Sequence, residues 1–326
     1  MDTIVVGTPL RFNSVSRPYS FSDGVTIRNL QPILWEFSSA RKLMSDDERD
    51  ELSKSRFWLV VSKEVDVWHL HHDQDLYEKA RRSMYALQII CPSGGPNVYM
   101  KFLQTPDGFD NIGSMHPAKM QSTLIGRMAI LEEQGLEEDF ERVYEGVTRA
   151  FDEKIVRLEN PILLLEHGLQ TGNVYLSMLM WVMGLDMLFM AGEKVPFVER
   201  AAGFLGPDTP VFTHLPFNNR DSLLTIRDVL EDVYELRNIV AHGREIPAKR
   251  FREKFDIVDT NGSRINSTDY YYSQVMMESA LFLLVKSLRQ VMVERLVDVI
   301  KDESNWKQQL KVNARLQKGR TQRKRP

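Results

Sequence analysis

The sequence predicts an α+β protein. A mixed α/β N-terminal domain (residues 1–119) is followed by an all-α helical bundle (120–303) and a basic tail (304–326). Three observations carry this. The first hundred or so residues hold short β-branched runs bounded by Gly, Pro or Asp. From Leu136 onward the apolar residues recur at helical spacing in one segment after another. Between the two, "QTPDGFDNIGSMHPAK" (104–119) is rich in Gly, Pro, Asp and Asn with no apolar period, and reads as a linker.

Taken in order, "TIVVGTPLRF" and "NVYMKFLQT" are the expected strands. Two helices are expected between them, one from "SDDERDEL" with a Ser45–Glu48 capping box. The other is "DLYEKARRSMYALQII", opened by Asp75 and Glu78 in the same relation. In the second half, "LEEDFERVYEGVTRAFDEKIVRL" spaces Phe140, Val143, Val147, Phe151 and Ile155 along one helical face. Glu137, Glu138 and Asp139 stand at the positive end of its dipole. Asn160–Pro161 is read as a helix boundary, with a new helix running to about Gln170. An apolar helix from Val174 to Met190 follows, its five methionines read as core packing. A shorter helix, "FVERAAGFL", is stopped by Gly206. The next helix begins at Asp221 or Ser222 and ends at Gly243, and a last one runs from about Asp269 to Ile300.

Of the 326 residues, 43% are hydrophobic and 27% charged, a profile of folded rather than disordered chains. One cysteine, Cys91, forms no intramolecular disulfide. The N-terminus lacks a basic leader with a long apolar core, and Asp186 interrupts the longest apolar stretch, so a cytoplasmic protein that does not enter membranes is expected. The net charge of −3 is unevenly spread. After Glu303 there are eight Lys or Arg residues and no acid; taking them from the total leaves 34 basic against 45 acidic residues, a net −11 for the rest. Such a basic end is either an arm for phosphate backbones or a solvated, mobile tail.

The stretch "YELRNIVAHGREIP" (234–247) closes the helix that begins near residue 221. On a wheel of ~100° per residue, Val229, Val233, Leu236 and Val240 form its buried stripe, with Glu231, Glu235, Asn238 and His242 opposite. Arg237 falls near the edge of the stripe, ~140° from His242. Gly243 is the expected left-handed stop, which places His242 in the last turn, where the dipole favours an imidazolium. Asn238, one turn before His242, is within reach of its ring. Two readings stay open: a reactive pair, or an ordinary helix ending in which Arg237 pairs with Glu166 or Asp186 from neighbouring helices.

The string "LRNIVAHG", preceded by "LLTIRDVLEDVYE" and by "NPILLLEHGLQTGNVYLSMLMWVMGLDMLF", resembles the HEPN superfamily. The hallmark of that family is an arginine, commonly followed by a polar residue, four to six positions before a histidine at a helix end. The longer pattern is similar to the ApeA-like branch over residues 136 to 300, with Asp186 standing where that branch has glutamate. The resemblance implies a HEPN-type bundle and a metal-independent endoribonuclease, often a homodimer in which two copies of the motif meet, with a possible place in bacterial defence or a toxin-like system. His242 would act as base or acid at the ribose 2′-hydroxyl or the leaving oxygen, and Arg237 would stabilise phosphate charge, with Asn238 and Glu235 in support. The family also contains inactive members that serve as dimerisation or binding modules, which is the alternative expectation, with the N-terminal domain as a sensor.

After the motif, "REIPAKRFREKF" supplies Arg244, Lys249, Arg250 and Arg252 interleaved with Phe251 and Phe255, a composition suited to single-stranded RNA as partner and equally to a solvated turn. "WHLHHDQD" offers His69, His71, His72, Asp73 and Asp75, but no second cluster completes a metal site. Neither a phosphate-binding glycine loop nor a nucleophile elbow nor a zinc-protease signature is present, so neither cofactor nor metal is expected.

Overall fold

In a computed structural model, the described residues are 2–10, 17–29, 57–65, 72–92, 99–105, 108–115, 135–171, 173–190, 193–211, 225–244 and 268–323. They form two compact units, Met1–Thr148 and Arg149–Pro326, and together an α+β protein. The division falls inside a helix, Leu136–Asp152, whereas the sequence reading put the domain boundary at 119.

The first unit is built on an antiparallel sheet of β1 (Asp2–Leu10), β2 (Tyr19–Ser20), β3 (Val25–Asn29), β4 (Phe57–Val65), β5 (Tyr99–Thr105) and β6 (Gly108–Met115), in the order β2-β3-β4-β1-β5-β6. Strand β1 is central. It pairs with β4 from Asp2↔Val65 to Leu10↔Phe57, and with β5 on its other edge. Ile4, Val5 and Val6 are all fully buried although they alternate between faces, which is why this strand reads as a continuous apolar run. Helix α1 (His72–Ile90) packs on β4 and β1. It starts before Asp75, so Asp75 sits in the first turn, where the dipole favours an acid, rather than at the cap.

Two expectations change here. Within the segment 104–119 read as linker, residues 104–105 are the end of β5 and 108–115 the whole of the edge strand β6, paired from Thr105↔Gly108. The Gly, Asp and Asn of β6 are poor strand formers, and pairing to an existing sheet overrides that weak local preference. The Ser45–Glu48 helix, His69, His71 and residues 116–119 lie outside the described residues. The N-terminal part of α2 (Leu136–Asp152) belongs to this unit, where Phe140 stacks on Phe21 with ring centroids 3.9 Å apart.

Among the described residues, the named elements of the second unit are all helices: the end of α2, then α3 (Val156–Gln170), α4 (Val174–Phe189), α5 (Lys194–Leu205), α6 (Ile226–Ala241), α7 (Thr268–Val293), α8 (Val297–Lys301) and α9 (Glu303–Arg323). Helix α4 is the hub, packed against α3, α6 and α7. Its N-cap Asn173 accepts from the backbone N–H groups of Tyr175 (3.0 Å) and Leu176 (3.1 Å). Trp181, Val182, Leu185 and Phe189 have no exposed surface. Close approach of α3 depends on Gly168, where a Cβ would come within 2.2 Å of Trp181 Nε1. Of the five methionines on this helix and its cap only Met178 is buried, and Met183 is 46% exposed, so they are not all core.

Several helix ends differ from the sequence reading for one physical reason. Helix α2 stops at Asp152, and Lys154 adopts a left-handed φ of 52° while Ile155 N–H bonds Ala150 O (2.8 Å) and Lys154 N–H bonds Phe151 O (3.3 Å). The same Schellman pattern ends α7, with Arg295 at φ 56°, Leu296 N–H on Val291 O and Arg295 N–H on Met292 O. Neither stop is a glycine. Pro161 consequently lies inside α3 instead of opening it, and the helix expected to run to Ile300 is broken into α7 and α8. The tail is not a loose end: α9 is helical to Arg323 and is docked by Trp306 and Leu310, both fully buried.

Candidate functional site at the end of helix α6

Helix α6 starts at Ile226, behind Thr225, whose backbone N–H (2.8 Å) and hydroxyl (2.7 Å) both donate to Asp228 Oδ2. This Thr-x-x-Asp arrangement sets the start later than the Asp221 or Ser222 expected. Ile226, Val229, Leu230, Val233 and Leu236 are buried as the helical period requires. The last turn then leaves the core. Val240, expected in the buried stripe, is only half-buried, and residues 241–244 are exposed.

The stop is the one the sequence calls for. Gly243 has φ 62°, its N–H bonds Val240 O (3.1 Å) and Arg244 N–H bonds Ile239 O (3.0 Å), closing a Schellman motif with His242 as the C-cap. His242 is thereby held at the helix terminus by its backbone, and its ring makes no hydrogen bond to any described residue.

Arg237 is held on three sides. Its Nη2 lies 3.5 Å from Asp186 Oδ2 on α4, its Nη1 donates to Asn238 Oδ1 (2.7 Å), and its guanidinium carbon sits 5.5 Å from the centroid of the Tyr234 ring. The side chain still keeps 27% of its surface in solvent, against 15% for Asp186. Asp186 occupies the last turn of α4, where the backbone N–H of Met190, itself left-handed at φ 51°, bonds Asp186 O. Arg200 Nη1 caps the same terminus by donating to the carbonyls of Phe189 (2.9 Å) and Met190.

The electrostatics follow from this packing. Burial pushes the Asp186 carboxyl above its ordinary range, and the Arg237 cation opposes that shift without cancelling it. Asp186 Oδ1 is buried with no hydrogen-bond donor among the described residues, so the carboxylate is only partly compensated. The Tyr234 phenol is likewise raised, first by burial and then by the negative charge of Asp186.

Arg237, Asn238 and Asp186 are therefore brought together, while Glu235 has its partner on another helix. Asn238 spends its carbonyl oxygen on Arg237, one residue away, rather than on the His242 ring. Glu235 faces α5, 3.5 Å from Lys194 Nζ, which is also 3.5 Å from Glu231. Tyr234 joins them through its ring, and its place three residues before Arg237, on the same helical face, is the sequence signal that marks it. Arg244 is exposed at the helix end, while Lys249, Arg250 and Arg252 lie outside the described residues.

Among the described residues no group of three or more His, Cys, Asp or Glu side chains forms a metal-binding cluster, and no single helix is long and apolar enough to cross a membrane. No protein-family model, curated protein or solved structure matches this chain.

Proposed function

We propose that this protein is a metal-independent endoribonuclease of HEPN type, with His242 and Arg237 as its reactive groups. The observation that supports it best is the different treatment of the two side chains: the imidazole is presented to solvent on a fixed helix terminus, while the guanidinium is oriented by Asp186, Asn238 and Tyr234 yet left partly exposed. An imidazole at that place can take a proton from a ribose 2′-hydroxyl, and a preoriented guanidinium retains donors for phosphate oxygens. The ~140° between positions 237 and 242 on one helix sends their side chains apart. Groups from two copies of the motif would therefore serve each phosphodiester, in a homodimer that takes RNA as partner.

One specific observation favours the second reading, a non-catalytic binding module. The Arg237–Asp186 pair is the contact a structural arginine would make. Cleavage of a single-stranded RNA in excess chelator separates the two. The nuclease reading requires chelator-resistant cleavage that falls by a factor of about 10²–10⁴ in His242→Ala. RNA left whole by the parent protein, or cut equally well by the variant, rejects it.

A further inference from the structure

Helix α9 combines three features that its packing role leaves unexplained. It has 21 residues, so it is about 30 Å long at 1.5 Å per residue; among the residues whose burial is described, up to 313, the buried anchors are Trp306 and Leu310, and Val312 just beyond them is 43% exposed. Lys307, Lys311, Arg315 and Lys318 fall at successive turns, within ~80° of one another around the axis and to one side of the anchoring positions. Glu303 pairs with Lys307 at the base of the stripe, and no acid occurs after it, so the positions of Lys311, Arg315 and Lys318 have no acid further along their own helix to offset their charge.

The root of this helix is fixed on α4 and α5. Trp306 Nε1 donates to the carbonyl of Leu188, two residues beyond Asp186 on α4, and its ring meets Phe204 edge-on at 5.5 Å. Asp302 caps the start, accepting from Asn305 N–H at 2.8 Å. A positively charged rod is thus fixed at one end on α4, two residues along the chain from Asp186, in a protein whose remainder carries a net −11.

We propose that the basic stripe of α9 is a binding surface for the phosphate backbone of single-stranded RNA. The inference takes the identity of its polyanion from the ribonuclease reading. The charge complementarity itself stands on α9 alone. The acidic remainder repels a polyanion, so the stripe is where RNA gains most by displacing counterions.

The test is fluorescence anisotropy of a labelled single-stranded RNA with the full-length His242→Ala protein, across a salt series. In that background, Lys311→Gln/Arg315→Gln/Lys318→Gln should bind about tenfold more weakly or worse at 0.1 M salt, and the slope of log K against log salt should flatten by about 2, near 0.7 per lost contact. A Lys311→Arg/Lys318→Arg variant should bind like the parent. Unchanged affinity and slope in the triple variant would overturn the proposal. So would equal competition by duplex DNA of the same length, or a stripe-dependent affinity for anionic phosphatidylserine vesicles without one for RNA. Stripe-dependent RNA binding by a protein that never cuts RNA in chelator upholds this inference and rejects the ribonuclease reading alone.

Discussion

Arg237 Nη2 stands 3.5 Å from Asp186 Oδ2, joining α6, about one turn before its end, to the last turn of α4. The pair is only partly balanced, because the carboxylate is the more deeply buried member and its second oxygen has no donor among the described residues. The guanidinium is accordingly positioned by a carboxylate under strain of desolvation, and substitutions on the two sides should behave differently.

Asp186→Asn removes a charge that burial disfavours. Because the folded-state pKa of Asp186 lies above its ordinary value, the parent is penalised at neutral pH and relieved as pH falls into the carboxylate range. The variant should therefore melt higher than the parent at pH 7, with the difference shrinking on acidification. Thermal melts from pH 7 to pH 4 check this, and a constant difference across the range would show that Asp186 is not desolvated.

Arg237→Ala should cost about 1–3 kcal/mol, since it strands the Asp186 carboxylate. His242→Ala, at an exposed cap whose ring has no described hydrogen bond, should stay within about 0.5 kcal/mol of the parent. Pairing Arg237→Ala with Asp186→Ala should cost less than the sum of the single changes. Urea denaturation of the four variants measures all three.

Gly168→Ala places a methyl on the Trp181 indole, 2.2 Å from Nε1, and that indole already donates to Leu165 O at 3.3 Å. A destabilisation of about 1–3 kcal/mol is expected. Gly184→Ala should cost less, because the nearest atoms are the terminal methyls of Leu284 at 3.2 Å. The order of the two midpoints in denaturant decides it.

Lys154→Gly and Arg295→Gly should each raise stability by up to about 1 kcal/mol. A β-carbon is strained at their φ of 52° and 56°, and both residues are exposed. A fall in midpoint for either would mean that its side chain contributes more than its backbone strain removes.

Much of this protein follows from local chemistry. The central strand, the main helices and the Gly206 and Gly243 stops all depend on residues within a turn of one another, and so they can be read in one dimension. The arginine and histidine at the end of α6 could be named for the same reason. What only the tertiary structure decided is everything that needs a neighbour from afar. The Asp- and Gly-rich segment 108–115 becomes a strand because β5 offers an edge. Lysine and arginine serve as left-handed stops because packing of the flanking helices outweighs the strain of a β-carbon. The basic end is ordered because Trp306 finds Leu188 and Phe204. Asp186 on α4 receives Arg237 because the packing of α4 on α6 brings the two side chains together, a juxtaposition that no spacing along the chain encodes.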